Sequence, residues 1–307
     1  MKERNSNIGL VRISGLLGFT RQAYYQHFWH DQEMSIEHHL VLEKVGELRK
    51  TNPRMGARKL LVLLRDFLCE HQIKMGRDAL LDLLAANYML VRKKRRKIYT
   101  TNSWHWLKRY PNLACEVQVS KINQLWVSDI TYVKTKQGFL YLSLITDACS
   151  RRIMGYDLAD NLESFNAMNA LEMAISGSLQ RHESLTGLIH HSDQGLQYCS
   201  PRYTDLLKKH EIAISMSDRG QPLQNAIAER VNGIIKNEYL LCHDLIDKYQ
   251  THQLLCKTIE TYNISRPHMS CNMLTPDQAH QWGTILERNW KNYYKPKTPE
   301  TVNQCSD

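Results

Sequence analysis

The sequence predicts an α/β fold: a five-stranded mixed sheet with helices on both faces, preceded by a basic helical region of the helix-turn-helix type. Three observations lead there. From residue 124 onward, three strand-like runs come in succession and then alternate with helical patterns, an order that builds a mixed sheet covered on both faces. Before residue 110 the apolar residues recur at helical spacing. The charge is also divided: residues 1–110 hold 21 Lys and Arg against 10 Asp and Glu, and the remainder holds 19 against 21. The whole positive excess therefore lies in the first third, as in a polyanion-binding region joined to an acidic catalytic one.

Composition narrows the class. A chain of 307 residues has room for two or three domains. A hydrophobic content of 42% and a charged content of 23% are those of a soluble globular protein. No apolar run approaches the length that crosses a bilayer, and Arg12 interrupts the apolar stretch at 8–13, so no signal peptide is expected. The eight cysteines are scattered with no Cys-x-x-Cys pair, which argues against a disulfide framework or zinc knuckle and for reduced thiols in a cytoplasm.

In the first region Leu10, Ile13, Leu16 and Leu17 recur at helical spacing, and Gly18-Phe19-Thr20 predicts a turn and N-cap into a short helix through Tyr25. A separate longer helix is expected over 36–50, broken by Asn52-Pro53, followed by helices over 57–67 and 77–87. Short helices joined by Gly-containing turns, with basic residues at their starts, suit a helix-turn-helix unit. The uninterrupted hexad Arg92-Lys93-Lys94-Arg95-Arg96-Lys97, followed by Trp104, Trp106 and Tyr110, reads as a track for a phosphate backbone. The expected divisions are a helical DNA-binding region at 1–110, a linker at 111–121, a catalytic core at 122–285 and a tail at 286–307.

In the core, strands are expected at 125–133, 139–147, 152–158, 188–191 and 212–216. Asn161 is placed to cap a helix whose apolar face takes in Leu162, Phe165, Met168, Leu171 and Ile175. Ser200-Pro201 opens another helix, and Thr275-Pro276-Asp277-Gln278 reads as a capping box.

Three carboxylates stand out. Asp129 and Asp193 each follow an apolar strand-like run, and Glu229 lies in a helical pattern. Asp129 is expected to end the central strand. An acid at the end of a buried strand is costly without a counter-charge. Three such acids converging need a cation, and oxygen ligands favour a hard divalent one. On the helix, Ile227, Val231 and Ile234 face the core, while Glu229, Asn232, Gly233 and Lys236 share another stripe. Lys236 is thus a candidate for phosphate contact. His190 and His191 read as structural histidines, and Tyr262, Arg266 and His268 as buttresses of the active-site helix, with Arg266 the best DNA contact among them.

Trp126-Val127-Ser128-Asp129-Ile130-Thr131-Tyr132, His191-Ser192-Asp193-x-Gly195-x-Gln197-Tyr198 and Asn225-Ala226-x-x-Glu229 with Lys236 resemble the catalytic core of DDE transposases. The match is closest to the OrfB-type transposases of the third insertion-sequence family, relatives of retroviral integrases. Further matches are Asp147 with Ser150-Arg151-Arg152-Ile153, Ser217 with Gly220-x-Pro222, and Tyr262-Asn263-x-x-Arg266-Pro267-His268 leading to Leu274-Thr275-Pro276. Gln194, where the family usually has a basic residue, and Leu223-Gln224, in place of its common Tyr-Asp, depart from the pattern without removing an acid.

The resemblance implies an RNase H-like fold, with Asp129, Asp193 and Glu229 as ligands of two Mg²⁺ ions (or Mn²⁺) and DNA nicking and strand transfer at transposon ends as the activity. It implies terminal inverted repeats and target DNA as partners, a homo-oligomer on DNA, a cytoplasmic, nucleoid-associated location and fusion to an upstream reading frame. A non-catalytic repressor from a decayed element would keep the basic third and tolerate loss of an acid, whereas all three acids are present. An RNase H-like nuclease or junction resolvase would need neither the basic helical region nor the Tyr262–His268 motif.

Overall fold

The computed structural model describes residues 15–16, 18, 20–91, 106–115, 117–218 and 222–286. The chain divides into two compact units, one of Met1–Asn102, Val133–Leu140 and Asn232–Thr261, the other of Ser103–Tyr132, Tyr141–Val231 and Tyr262–Asp307.

The first unit is mainly helical. Helix α1 runs unbroken over Arg21–Thr51, so the two helices expected on either side of residue 30 are one. The expected cap is present: the Thr20 side chain accepts from the Ala23 N–H. Nothing after it breaks the helix, because neither Gly nor Pro occurs until Gly46. Asn52-Pro53 ends it, and Arg49 and Lys50 in the last turn complement the helix dipole. Helices α2 (Ala57–Glu70) and α3 (Arg77–Ala86) follow. Leu60, Leu64 and Leu68, one turn apart, close on Leu80, Leu83 and Leu84 and on Val41 and Val45 of α1 in one buried cluster. In the same unit the Tyr239 hydroxyl donates to Asn52 Oδ1 at 2.7 Å. The hexad at 92–97 lies outside the described residues.

The sheet has the order β3-β2-β1-β4-β5, with β1 (Leu125–Thr135) in the middle. Strand β2 (Gly138–Asp147) follows after two residues, too short a link for anything but an antiparallel hairpin, and pairs antiparallel with β3 (Ile153–Ala159). Strands β4 (Ile189–Ser192) and β5 (Ala213–Met216) are parallel to β1 and to each other in turn. The five strands and their mixed sense are those the sequence predicts.

Helix α4 (Ser164–Gln180) covers one face together with α5 (Leu196–Cys199) and α6 (Pro201–Lys209). Two expectations about α4 fail. Its N-cap is Glu163, and Asn161 lies two residues outside, where its side chain bonds Glu163 and Asn166. Leu162 and Phe165 are exposed, because the buried face is made of Ala167, Ala170, Leu171, Ala174 and Ile175. Small residues are needed there. Gly155 of β3 comes so near that a Cβ on it would strike the Ala170 carbonyl and lie 2.8 Å from the Ala174 nitrogen.

The opposite face carries Leu125 and Val127 of β1, packed against Ala228 and Ile227 of helix α7 (Ala226–Ile234). After α7 come a π-helical turn, Ile235–Tyr239, and helix α8 (Lys248–Ile264). Helix α9 (Pro276–Trp282) is opened by the expected capping box on Thr275 and Gln278. Among the described residues no helix is long and apolar enough to cross a membrane.

Candidate active site

The two aspartates are brought together by strand register. In the parallel ladder Val127 of β1 pairs with His191 of β4. Asp129 and Asp193 each lie two residues further on, Asp129 within β1 on the face that carries Val127 and Asp193 in the turn one residue beyond the end of β4. Asp129 does not end its strand. Strand β1 runs six residues beyond it to Thr135 in the hairpin with β2, and only the ladder with β4 stops short of it. Both acids are half-buried. The phenol of Tyr198, fully buried on α5, registers both of them: burial first, then Tyr203, then the charges of Asp193 and Asp129 raise its pKa far above the ordinary value. The Gly195 N–H donates to Asp193 Oδ1 at 3.0 Å and holds that carboxylate from below.

Glu229 is exposed on α7, on the same side of the sheet. The start of α7 is fixed to β1, because Asn225 Nδ2 donates to the Ser128 carbonyl at 2.9 Å and Glu229 follows Asn225 by one turn. Among the described residues no three His, Cys, Asp or Glu side chains stand close enough together to hold a metal ion. The structure thus gathers the three acid-bearing elements without closing the carboxylates round one point. The donor chemistry nevertheless fits a hard divalent cation: three carboxylates, and a buried amide oxygen, Asn225 Oδ1, with no donor of its own.

Lys236 does not complete an α-helical stripe with Glu229, because α7 ends at Ile234 and the wider π turn resets the register. Lys236 itself is half-buried. Burial lowers its pKa, and no carboxylate stands within ion-pair distance among the described residues.

The histidines are structural. His190 Nε2 meets the Tyr203 hydroxyl at 3.0 Å, and burial, helped by His191, lowers its pKa to about 3. His191 Nδ1 meets Ser215 Oγ at 2.8 Å, and burial lowers its pKa to about 4, against the opposing charge of Asp218. Both rings are neutral at pH 7 and offer no charge to a phosphate.

Arg266 is corrected as a DNA contact. Only 1% of it is exposed, and its guanidinium lies over the Tyr262 ring, 5.6 Å from the centroid. Its neighbours clasp β3: the Tyr262 hydroxyl donates to the Arg151 carbonyl, and the Asn263 amide bonds both the N–H and the carbonyl of Ile153. Sequence reasoning passed over Ser128 and Tyr198 as site residues. The available signal was a hydroxyl within an apolar strand, immediately before an acid.

A central strand bearing one acid, a second acid just past the end of its parallel neighbour and a following helix bearing a third make this an integrase-type catalytic core. Residues 119–222 and 210–276 match the family described as Integrase core domain. The chain is 33% identical over 266 residues to the Insertion element IS600 uncharacterized 31 kDa protein of Shigella sonnei, covering 85% of this chain and 94% of that one. It is 35% identical over 157 residues to the Transposase InsF for insertion sequence IS3A of Escherichia coli, covering 51% of this chain and 53% of the relative. Over 119 residues it is 40% identical to the Putative transposase for insertion sequence element IS986/IS6110 of Mycobacterium tuberculosis, covering 38% and 43%. Among solved structures, the HTLV-2 integrase catalytic core domain in complex with magnesium aligns over 53% of this chain and 99% of its own, at 23% identity and a TM-score of 0.42. The simian T-cell lymphotropic virus intasome aligns over 81% and 80%, at 18% identity and a TM-score of 0.46. The chain belongs to the insertion-sequence transposases of the third family, which are DDE-type enzymes.

Proposed function

We propose that this transposase cuts and joins DNA at the ends of its own element, with Asp129, Asp193 and Glu229 as the ligands of two divalent ions, Mg²⁺ in the cell. The pairing of Val127 with His191, two residues before Asp129 and Asp193, carries the reading, and the tie from Asn225 to Ser128 brings the helix of Glu229 to the same strand. Bound there, the ions would stabilise charge on the attacking and leaving oxygens of an in-line displacement at phosphorus.

The protein's part is to hold and orient. Asp129 offers oxygens from a strand, Asp193 from the turn just past the next strand, and Glu229 from a helix. In nicking, a water oxygen forms the new bond to phosphorus and the bond to the 3′ oxygen breaks, leaving a 3′-hydroxyl. In strand transfer that hydroxyl attacks a target phosphodiester, and the bond to the target's 3′ oxygen breaks. Lys236, with no anionic partner of its own among the described residues, is the residue to pair with a phosphate.

The basic hexad at 92–97 and the helix-turn-helix pair α2–α3 are the proposed DNA-holding parts of a helical region at 1–110, joined by a linker at 111–121 to a core at 122–285. The terminal inverted repeats and target DNA are the proposed partners, with further copies of the chain and an upstream-frame product. The cytoplasm, on the nucleoid, is the proposed site of action.

The test is a cleavage assay with the purified chain and a duplex carrying its own element end. Nicks with a 3′-hydroxyl at the terminus, formed with Mg²⁺ or Mn²⁺ and absent in a chelator, are the expected result. Cleavage that proceeds equally in the chelator would overturn the metal assignment.

A further inference from the structure

Resting on that reading of the three acids, we infer that Ser128, Tyr198 and Asn225 are positioning residues that set the spacing of Asp129, Asp193 and Glu229. Three acid-bearing elements meet at Ser128. The residue is fully buried on the central strand and is joined by a peptide bond to Asp129. Its hydroxyl hydrogen-bonds Tyr198 Oη at 2.9 Å and the Leu144 carbonyl at 3.2 Å. Its own carbonyl accepts from Asn225 Nδ2 at 2.9 Å.

Each bond reaches a different acid. Tyr198 sits on α5, which begins three residues after Asp193. Gly195, the cap of that helix, holds the Asp193 carboxylate through its N–H and accepts from the Tyr198 N–H through its carbonyl. A shift of the phenol therefore moves the turn that carries Asp193. Asn225 stands immediately before α7, one turn ahead of Glu229, so a shift of its amide moves the start of that helix.

The strand ladder cannot do this work. Its last bonded pair, Val127 with His191, lies below both acids, and no strand pairing reaches α7. The side-chain bonds at Ser128 are thus the fasteners at the level of the site. They are also dry: Ser128, Tyr198 and Asn225 are at most 5% exposed, so water does not readily replace a lost partner.

A scaffold with no bearing on the acids would lose stability when these bonds are cut and keep its response to metal. Outer partners of metal ligands instead weaken metal affinity by roughly 10- to 100-fold when removed. The test uses the full chain and Mn²⁺ alone, with binding read by calorimetry and nicking of element-end DNA titrated with Mn²⁺. Tyr198→Phe keeps the ring and removes the hydroxyl, Asn225→Ala removes the amide, and Ser128→Ala is paired with Ser128→Thr, which restores a hydroxyl. Asp193→Asn is the control.

The expected result is that Tyr198→Phe, Asn225→Ala and Ser128→Ala each need about tenfold more Mn²⁺ for half-maximal nicking. Ser128→Thr should recover most of the loss, with DNA affinity unchanged throughout. Combining Tyr198→Phe with Ser128→Ala should cost no more than Ser128→Ala alone, since that variant already cuts the bond to Tyr198. An unchanged Mn²⁺ requirement in all three, while Asp193→Asn abolishes Mn²⁺ binding, would overturn the positioning role and leave the metal site standing. Retention of Mn²⁺ binding and nicking by Asp193→Asn would overturn the metal site itself, and the positioning role with it.

Discussion

Asp129 on β1 and Asp193, one residue beyond the end of its parallel neighbour β4, each lie two residues past a bonded pair, Val127 with His191. Parallel neighbours lie about 4.8 Å apart, so the backbone brings the two acids to the same end of adjacent strands, and the Gly195 N–H and the bonds at Ser128 set them from there. Two like charges held this way repel unless a cation lies between them. Asp193→Asn should therefore remove several kcal/mol of transition-state stabilisation, a loss of at least about 100-fold in Mg²⁺-dependent nicking. Binding of the duplex, measured by a gel-shift titration, should stay within about twofold, since phosphate contacts dominate it. A variant that nicks at the parent rate would remove Asp193 from the ligand set.

Gly195 offers a gentler perturbation of the same acid. A Cβ added there would lie 2.9 Å from Asp193 Oδ1, while the backbone of Gly195, at φ −66°, suits any residue. The obstacle is the tip of a side chain, which swings aside at little cost to folding. Although Gly195 is buried, the only close atoms are flexible side-chain oxygens, so Gly195→Ala should leave the melting temperature within a few degrees. Nicking should fall by about tenfold or more, because a carboxylate displaced by even an ångström no longer ligates well. A thermal melt and a nicking time course on one preparation separate the two effects. Equal activity in the alanine variant would show that the Asp193 carboxylate does not need this seat.

The five strands, their mixed sense and the helix that carries Glu229 could be read from periodicity and from turn and cap residues. Ser200 and Thr275 announce their helices by chemistry that is local. What could not be read depends on contacts between distant residues. Asn161 looked like a cap, but the helix starts three residues later, where Gly155 of β3 fixes how α4 lies on the sheet. Arg266 looked like a DNA contact, since nothing nearby in the sequence shows that it will be buried with its guanidinium over the Tyr262 ring. Ser128 looked like one polar residue in a strand, because its partners lie 70 and 97 positions away.

Gly155 supplies the stability test that follows from that packing. Its missing side chain lets the Ala170–Ala174 segment of α4 press directly on β3, and the atoms in the way are backbone, which cannot rotate aside. Gly155→Ala should force the helix away from the sheet at a cost of about 1–3 kcal/mol or more, the usual range for overpacking. Urea denaturation should show a lower midpoint with an unchanged slope. Ala174→Gly in the same chain should restore part of the loss by clearing the Cβ that would stand 3.0 Å from the new methyl.

Glu183 gives a pH signature. Burial works against its charge, but hydrogen bonds from Arg181 and Asn123 and the nearby charges of His280 and Arg181 prevail and lower its pKa from 4.5 to about 2. A carboxylate with a lowered folded pKa contributes stability that is complete above its unfolded value and fades as pH falls through the folded one. The melting temperature of Glu183→Gln should therefore lie below that of the parent at pH 6, and the gap should narrow between about pH 4.5 and pH 2. Melts at four or five pH values in that window measure it. A gap that stays constant down to pH 2 would mean the glutamate acts by shape and not by charge.

The hexad Arg92–Lys97 is tested through salt, because its proposed role is electrostatic and independent of sequence. Each phosphate neutralised by a bound cation releases counterions and adds about 0.9 to the slope of log affinity against log salt. Replacing all six basic residues by Gln should weaken binding of element-end and unrelated duplexes by the same factor. It should also flatten the slope by as much as about 5 if every side chain meets a phosphate. Fluorescence anisotropy between 50 and 200 mM salt covers the range in which this term changes most. An unchanged slope would make the hexad a spacer, and would leave the α2–α3 pair and Lys236 to hold the DNA.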